Sequence, residues 1–128
     1  MRITLNTLHV EADHSLWVNF SSAFGEGRGQ WLGTPPQTGQ VHEVELSLED
    51  DFVWDHNLWA ATQDRPRISR EQAGLRVTGQ LLPREDEAVA ALAIGPNIVL
   101  LSLQGGHAQP GGFVSLLARQ VSLSPVAL

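Results

Sequence analysis

The chain contains no cysteine, no lysine and no tyrosine, and the first two absences narrow its chemistry. Without cysteine there is no disulfide, no thiolate nucleophile, no iron–sulfur cluster and no cysteine-ligated zinc. Without lysine, all eight basic residues are arginines, set against fourteen acidic residues for a formal net charge of -6. Non-specific phosphate binding draws on a surplus of positive charge, so nucleic acid is disfavoured unless a local arginine cluster overrides the average. Long apolar runs are also scarce. Met1 to Val10 lacks the continuous apolar core of a signal peptide, which leads us to expect a cytoplasmic protein. Ala88 to Leu103 is the most apolar stretch, but Gly95-Pro96-Asn97 cuts it into halves too short to cross a bilayer. It reads as a hairpin, and no membrane partner is expected.

What is present is alternation. A chain of 128 residues with no repeat or linker is expected to form one domain over 1–128. Arg2 to Val10 and Leu16 to Ala23 alternate with period two, and Ala12-Asp13-His14-Ser15 between them reads as the turn of a first hairpin. Gly25 to Gly29 reads as a flexible loop, and the Gly25 to Gly39 region, rather than the C-terminal hairpin turn, is expected to carry the most mobile loop of the chain. In Val41 to Leu48, His42, Val44, Leu46 and Leu48 share one face and Glu43, Glu45 and Ser47 the other, as in a half-buried strand.

Asp50 to Arg67 has no clear period; Phe52, Val53, Trp54, Leu58 and Trp59 there fit a short helix, a strand end or a packed loop equally. Ser69-Arg70-Glu71-Gln72 has the form of a capping box and Gly74 that of a helix stop, so a short helix is expected over Ser69 to Ala73. Leu75 to Leu82, Glu87 to Ile94, Ile98 to Gln104 and Phe113 to Leu123 read as strands. Pro83-Arg84-Glu85-Asp86, Gly95-Pro96-Asn97 and Gly105 to Gly112 would supply the turns between them.

The expected fold class is therefore all-β: a small antiparallel barrel of about eight short strands with at most one or two short helices. Trp31-Leu32-Gly33, Gly39-Gln40-Val41-His42-Glu43-Val44-Glu45, Val77-Thr78-Gly79, Ala93-Ile94-Gly95 and Phe113-Val114 follow one another in an order that resembles small bacterial β-barrel proteins of the OB-like kind. The resemblance rests on strand and turn patterning and implies a barrel, without transferring any functional residue. The chain has more strand segments than a simple five-stranded OB-fold.

Motifs that carry chemistry are few. Gly25, Gly27 and Gly29 are not followed by a helix or by a Lys-Ser or Lys-Thr pair, so a phosphate cradle is not expected there. His9-Val10-Glu11 matches half of a zinc-deaminase signature whose other half needs cysteine. With Asp13 and His14 these residues could form a metal shell, but a solvated strand end explains them more simply. Glu43 and Glu45 lie on the polar side of a strand, where solvated charges are expected rather than an acid–base pair. No Gly-x-Ser-x-Gly elbow occurs. No catalytic residue, metal or cofactor is expected.

The leading expectation is a non-catalytic, protein-binding module, such as an adaptor or an immunity-type inhibitor of a bacterium. The alternative is an OB-type binder of single-stranded nucleic acid using Trp17, Trp31, Arg28 and Arg76, and a third class is a small ligand-binding barrel or an unmarked hydrolase. Trp31, between a glycine-rich stretch and Pro35-Pro36, is the expected exposed anchor. Because Ala88 to Ile94 and Ile98 to Gln104 are apolar on both sides, a homodimer is also expected, with Val99, Leu101 and Leu103 at its interface.

Overall fold

The computed structural model describes residues 1–83, 89–104 and 112–126. It holds twelve strands: β1 (Arg2–Val10), β2 (Leu16–Ser22), β3 (Gly25–Trp31), β4 (Val41–Leu48), β5 (Asp51–Val53), β6 (Leu58–Ala60), β7 (Arg67–Glu71), β8 (Gly74–Leu81), β9 (Val89–Ile94), β10 (Asn97–Gln104), β11 (Phe113–Ala118) and β12 (Val121–Pro125). No helix occurs among the described residues, so none there is long and apolar enough to cross a membrane. The all-β barrel expectation holds, with twelve strands in place of about eight.

Five strands close a barrel in the order β1-β2-β3-β12-β4. β4 returns antiparallel to β1, while β12 lies antiparallel to β4 and parallel to β3. The other strands form a seven-stranded sheet in the order β5-β10-β9-β8-β11-β6, with β7 pairing β8. β7 takes the first half of β8 and β9 only its end, at Gln80 and Leu81. A bridge between Trp54 and Leu58 links the two ends of this sheet.

The sheet is inserted between β4 and β12, and the chain leaves and re-enters the barrel at one place. There the Asp50 carboxylate accepts the backbone N–H groups of Arg119 (2.9 Å) and Gln120 (2.8 Å), and the Glu49 N–H donates to the Gln120 carbonyl (2.9 Å). Phe113 to Leu123 is therefore two strands in two sheets, because these bonds turn the chain at Arg119 and Gln120.

Inward side chains of both sheets form one core cluster, from Ile3, Leu5, Val18 and Phe20 of the barrel to Phe52, Leu58, Leu92, Leu101 and Leu116 of the insert. Three expectations fail here for identifiable reasons. Gly25 to Gly29 is strand, not loop: alternate glycines point inward, where a Cβ on Gly27 would meet the Phe20 ring and one on Gly29 the Val121 and Leu123 side chains. Gly25 itself (φ 133°) lies against the Ile68 carbonyl, while the Ile68 N–H donates to the Phe24 carbonyl, joining β7 to the barrel. Ser69 to Ala73 is not a helix but the end of β7 and its turn into β8, because Ile68 opposes Val77 in an antiparallel ladder that local capping cannot outweigh.

The third concerns the dimer interface. Val99, Leu101 and Leu103 are buried within the chain's own core, so they are not free to meet a second copy. The other parity of β10 faces outward, with Ile98 55% and Leu100 65% exposed. Phe52 and Leu58, from the stretch after Asp50, point into the core. Of the expected turns, residues 84–86 and 105–111 lie outside the described residues.

Candidate functional site

The turn joining β1 to β2 sets the first element of the site. Ser15 donates both its N–H and its hydroxyl to Asp13 Oδ1, and these two bonds hold the Asp13 carboxyl below its ordinary value. The Ser15 hydroxyl oxygen then accepts the Trp17 indole N–H at 3.0 Å, which orients the ring on the outside of β2. Across the β2–β3 ladder, Asn19 opposes Arg28, and the Arg28 guanidinium lies 4.8 Å from the Trp17 ring centroid. Its other contact is Glu11 Oε1, at 2.7 Å.

This pair forms one wall of a cleft of about 550 Å³, whose other walls include Arg70, Glu71 and Gln72 from β7 and its turn and Arg119 from the crossing. Beyond Glu71 lies a second recess of about 370 Å³ on the outer face of β7, β8 and β11. Register builds this recess. Arg67 opposes Thr78, Thr78 opposes Ser115 and Ser115 opposes Trp59, making one cross-strand row; Ser69 and Arg76 make the next. Residues 61–66 overhang it and bring Thr62, Gln63 and Arg65. Arg76 lies over Trp59 at 5.4 Å, donates to Glu71, and places Nη1 3.2 Å from the Ser115 hydroxyl. Its guanidinium holds the Glu71 carboxyl below the ordinary range, chiefly through the hydrogen bond.

Six of the eight arginines thus line two adjoining depressions: Arg28, Arg70 and Arg119 in one, Arg65, Arg67 and Arg76 in the other. Glu71 is the one carboxylate lining both. Arg28 and Arg76 are paired, whereas Arg65, Arg67, Arg70 and Arg119 enter no ion pair among the described residues. A chain of net charge -6 has gathered most of its cations on one face.

Of the residues singled out from sequence, Trp17 and Arg28 line the cleft and Arg76 lines the adjoining recess. Trp31 lines neither. It is 4% exposed, its indole N–H donates to the Thr34 carbonyl at 2.9 Å, and its ring meets His42 edge-on at 5.1 Å, so it is core rather than anchor. Trp59, Arg65, Arg67, Arg70, Arg119, Ser69, Thr78 and Ser115 were not foreseen. Their signal was the density of Arg65-x-Arg67-x-x-Arg70 in an otherwise acidic chain. Near His9, Glu11 turns to Arg28 as well as to His9 (3.7 Å), and no three metal-ligating side chains gather among the described residues.

Compared with protein-family models, with curated proteins and with solved structures, the chain gives no match.

Proposed function

We propose that the protein is a non-catalytic, protein-binding module whose contact surface is the arginine-lined face, and that its partner presents acidic or otherwise anionic groups there. One observation carries this reading: six of eight arginines line two depressions that share Glu71, while the chain as a whole is acidic. Such segregation steers an oppositely charged partner and fixes its register. The two guanidinium–indole stacks, Arg28 on Trp17 and Arg76 on Trp59, add rigid amphipathic contacts of the kind that dominate interfaces. The test is capture from a bacterial lysate by the immobilised protein and by an Arg70→Glu, Arg119→Glu variant. The expected result is a partner retained at low salt by the first and lost by the second. A partner held equally by both would overturn this surface assignment.

A second reading is favoured by the barrel itself. Counted within the barrel alone, its strands run 1-2-3-5-4 with the third and fifth parallel, which supports an OB-like assignment with the seven-stranded sheet as an insert. OB-type barrels bind oligonucleotides on their second and third strands, where Trp17 and Arg28 lie. Net charge opposes it. A labelled single-stranded oligonucleotide is expected to bind more weakly than micromolar at physiological salt, and tight, salt-sensitive binding would put this reading first. A homodimer would use the outer face around Ile98 and Leu100, and light scattering of the protein and its Leu100→Glu variant tests it.

A further inference from the structure

We infer that the recess lined by Arg65, Arg67, Ser69, Arg76, Thr78 and Ser115 is a binding site for a phosphate monoester dianion, carried on a phosphorylated side chain of the protein partner. The carrier rests on the protein-binding reading above; the phosphate chemistry stands on the recess alone.

The recess is lined chiefly by hydrogen-bond donors. Three guanidinium groups and the hydroxyls of Thr62, Ser69, Thr78 and Ser115 line one recess, and a single carboxylate, Glu71, accompanies them. Guanidinium offers a planar fork of N–H donors that fits phosphate oxygens two at a time, and hydroxyls serve the remaining lone pairs. Most of these donors stand on paired strands, so their spacing is fixed before a ligand arrives. Arg76 is fixed further by Trp59, Glu71 and Ser115. Arg65 and Arg67 have no ion-pair partner among the described residues, which leaves two full positive charges for an incoming anion.

Charge and oxygen count select the anion. A carboxylate would occupy one fork and leave the second arginine unmatched. A phosphate monoester carries about two negative charges at neutral pH and three terminal oxygens, enough for both free arginines and the hydroxyls. The volume of about 370 Å³ falls at the lower end for ligand sites, sufficient for a phosphate group and the first atoms of its carrier. A nucleic-acid strand is a poorer fit. Its singly charged diesters would have to continue from this recess into the neighbouring cleft, and the Glu71 carboxylate lies between the two. The geometry receives a terminal group end-on.

The experiment is a titration of the intact protein followed by tryptophan fluorescence, to which Trp59 beside Arg76 contributes, and by calorimetry. The probes are phenyl phosphate, an acidic peptide containing phosphoserine, its unphosphorylated twin and a single-stranded oligonucleotide. Phenyl phosphate and the phosphopeptide are expected to bind and the twin to bind at least about tenfold more weakly. Arg67→Gln and Arg65→Gln should each weaken both by at least about tenfold, whereas Arg2→Gln, on β1 and outside both depressions, should leave phenyl phosphate unaffected. Circular dichroism identifies any variant that fails to fold, and Arg65 on the overhanging residues is the safer substitution. Affinity should fall as pH drops through about 6, where the monoester dianion takes up a proton and becomes a monoanion.

No binding of either phosphate probe at millimolar concentration overturns the site, as do equal affinities for the two peptides or loss of phosphate binding in Arg2→Gln alone. Tighter binding of the oligonucleotide at Arg65 and Arg67 also overturns it, in favour of the nucleic-acid reading. Binding of phenyl phosphate without the phosphopeptide keeps the phosphate site and overturns the peptide carrier. The protein-binding reading fails separately, through unchanged capture by the Arg70→Glu, Arg119→Glu variant.

Discussion

The seven-stranded sheet has two outer faces that differ although the strands share one inner core. Around β7, β8 and β11 the outward positions hold Arg67, Ser69, Arg76, Thr78 and Ser115. Around β9 and β10 they hold Val89, Ala91, Ala93, Ile98 and Leu100. The inner residues are alike at both ends: Leu75, Val77 and Leu116 at one, Leu92, Val99 and Leu101 at the other. Inner residues therefore specify the sheet, and the outward residues alone distinguish a cationic surface from an apolar one.

The sharpest way to break this comparison is to put a charge on each side of the same strand. Leu101→Glu buries a carboxylate without a partner and should leave the protein unfolded or insoluble, while Leu100→Glu, one residue away, should change stability by less than about 0.5 kcal/mol. Urea denaturation separates the two outcomes. With Leu101→Ala in place of the charge, the expected loss is about 2–5 kcal/mol.

The hairpin glycines at the two ends sharpen the contrast further. Gly74, which turns β7 into β8, has φ 152°, and a Cβ there would stand 2.3 Å from the Ala118 carbonyl oxygen, a backbone atom that cannot move aside cheaply. Gly95, in the β9–β10 turn, has φ 59° and would meet the Phe24 ring at 2.7 Å, which is side chain and can shift. Gly74→Ala should cost about 3 kcal/mol or more, and Gly95→Ala about 1–2 kcal/mol, read as thermal midpoints in one buffer.

Glu71→Gln should have the smallest effect. The folded carboxyl titrates below its ordinary value because Arg76 bonds its charged form, so its contribution is complete above the unfolded range and is lost as pH falls through the lowered folded range. Exposure keeps that contribution well below about 1 kcal/mol. The difference in stability between the protein and this variant should therefore shrink to nothing on acidification, and denaturation at neutral and strongly acid pH checks it.

Legibility in the sequence followed the length of each alternating run. β1, β2 and β4 are seven to nine residues long and their period is visible, whereas the β9–β10 hairpin shows through its Gly-Pro turn and strand-length apolar runs. β5, β6 and β7 are three to five residues long, too short for a period to emerge, and they bring in Trp59, Arg67 and Arg70. For β10 both parities are apolar, so sequence alone could not say which side faces in; register with β9 and β5 decides it. The glycines of β3 carried the strand signal in their own spacing of two, masked by the usual association of glycine with loops. Trp17 and Arg28 were legible as candidates individually. Their stacking follows from a ladder pairing between strands, which no local pattern encodes.

The clasp at Asp50 has a consequence for how the barrel tolerates its insert. Because Glu49 and Gln120 are hydrogen-bonded to one another, everything between them is, to the barrel, a single closed loop of about 70 residues. The entropy of closing a loop rises only with the logarithm of its length, so relative to a five-residue turn the penalty grows by only about 2 kcal/mol. One core leucine contributes as much. An entire seven-stranded sheet can hang from a barrel at that crossing, provided the crossing itself stays pinned.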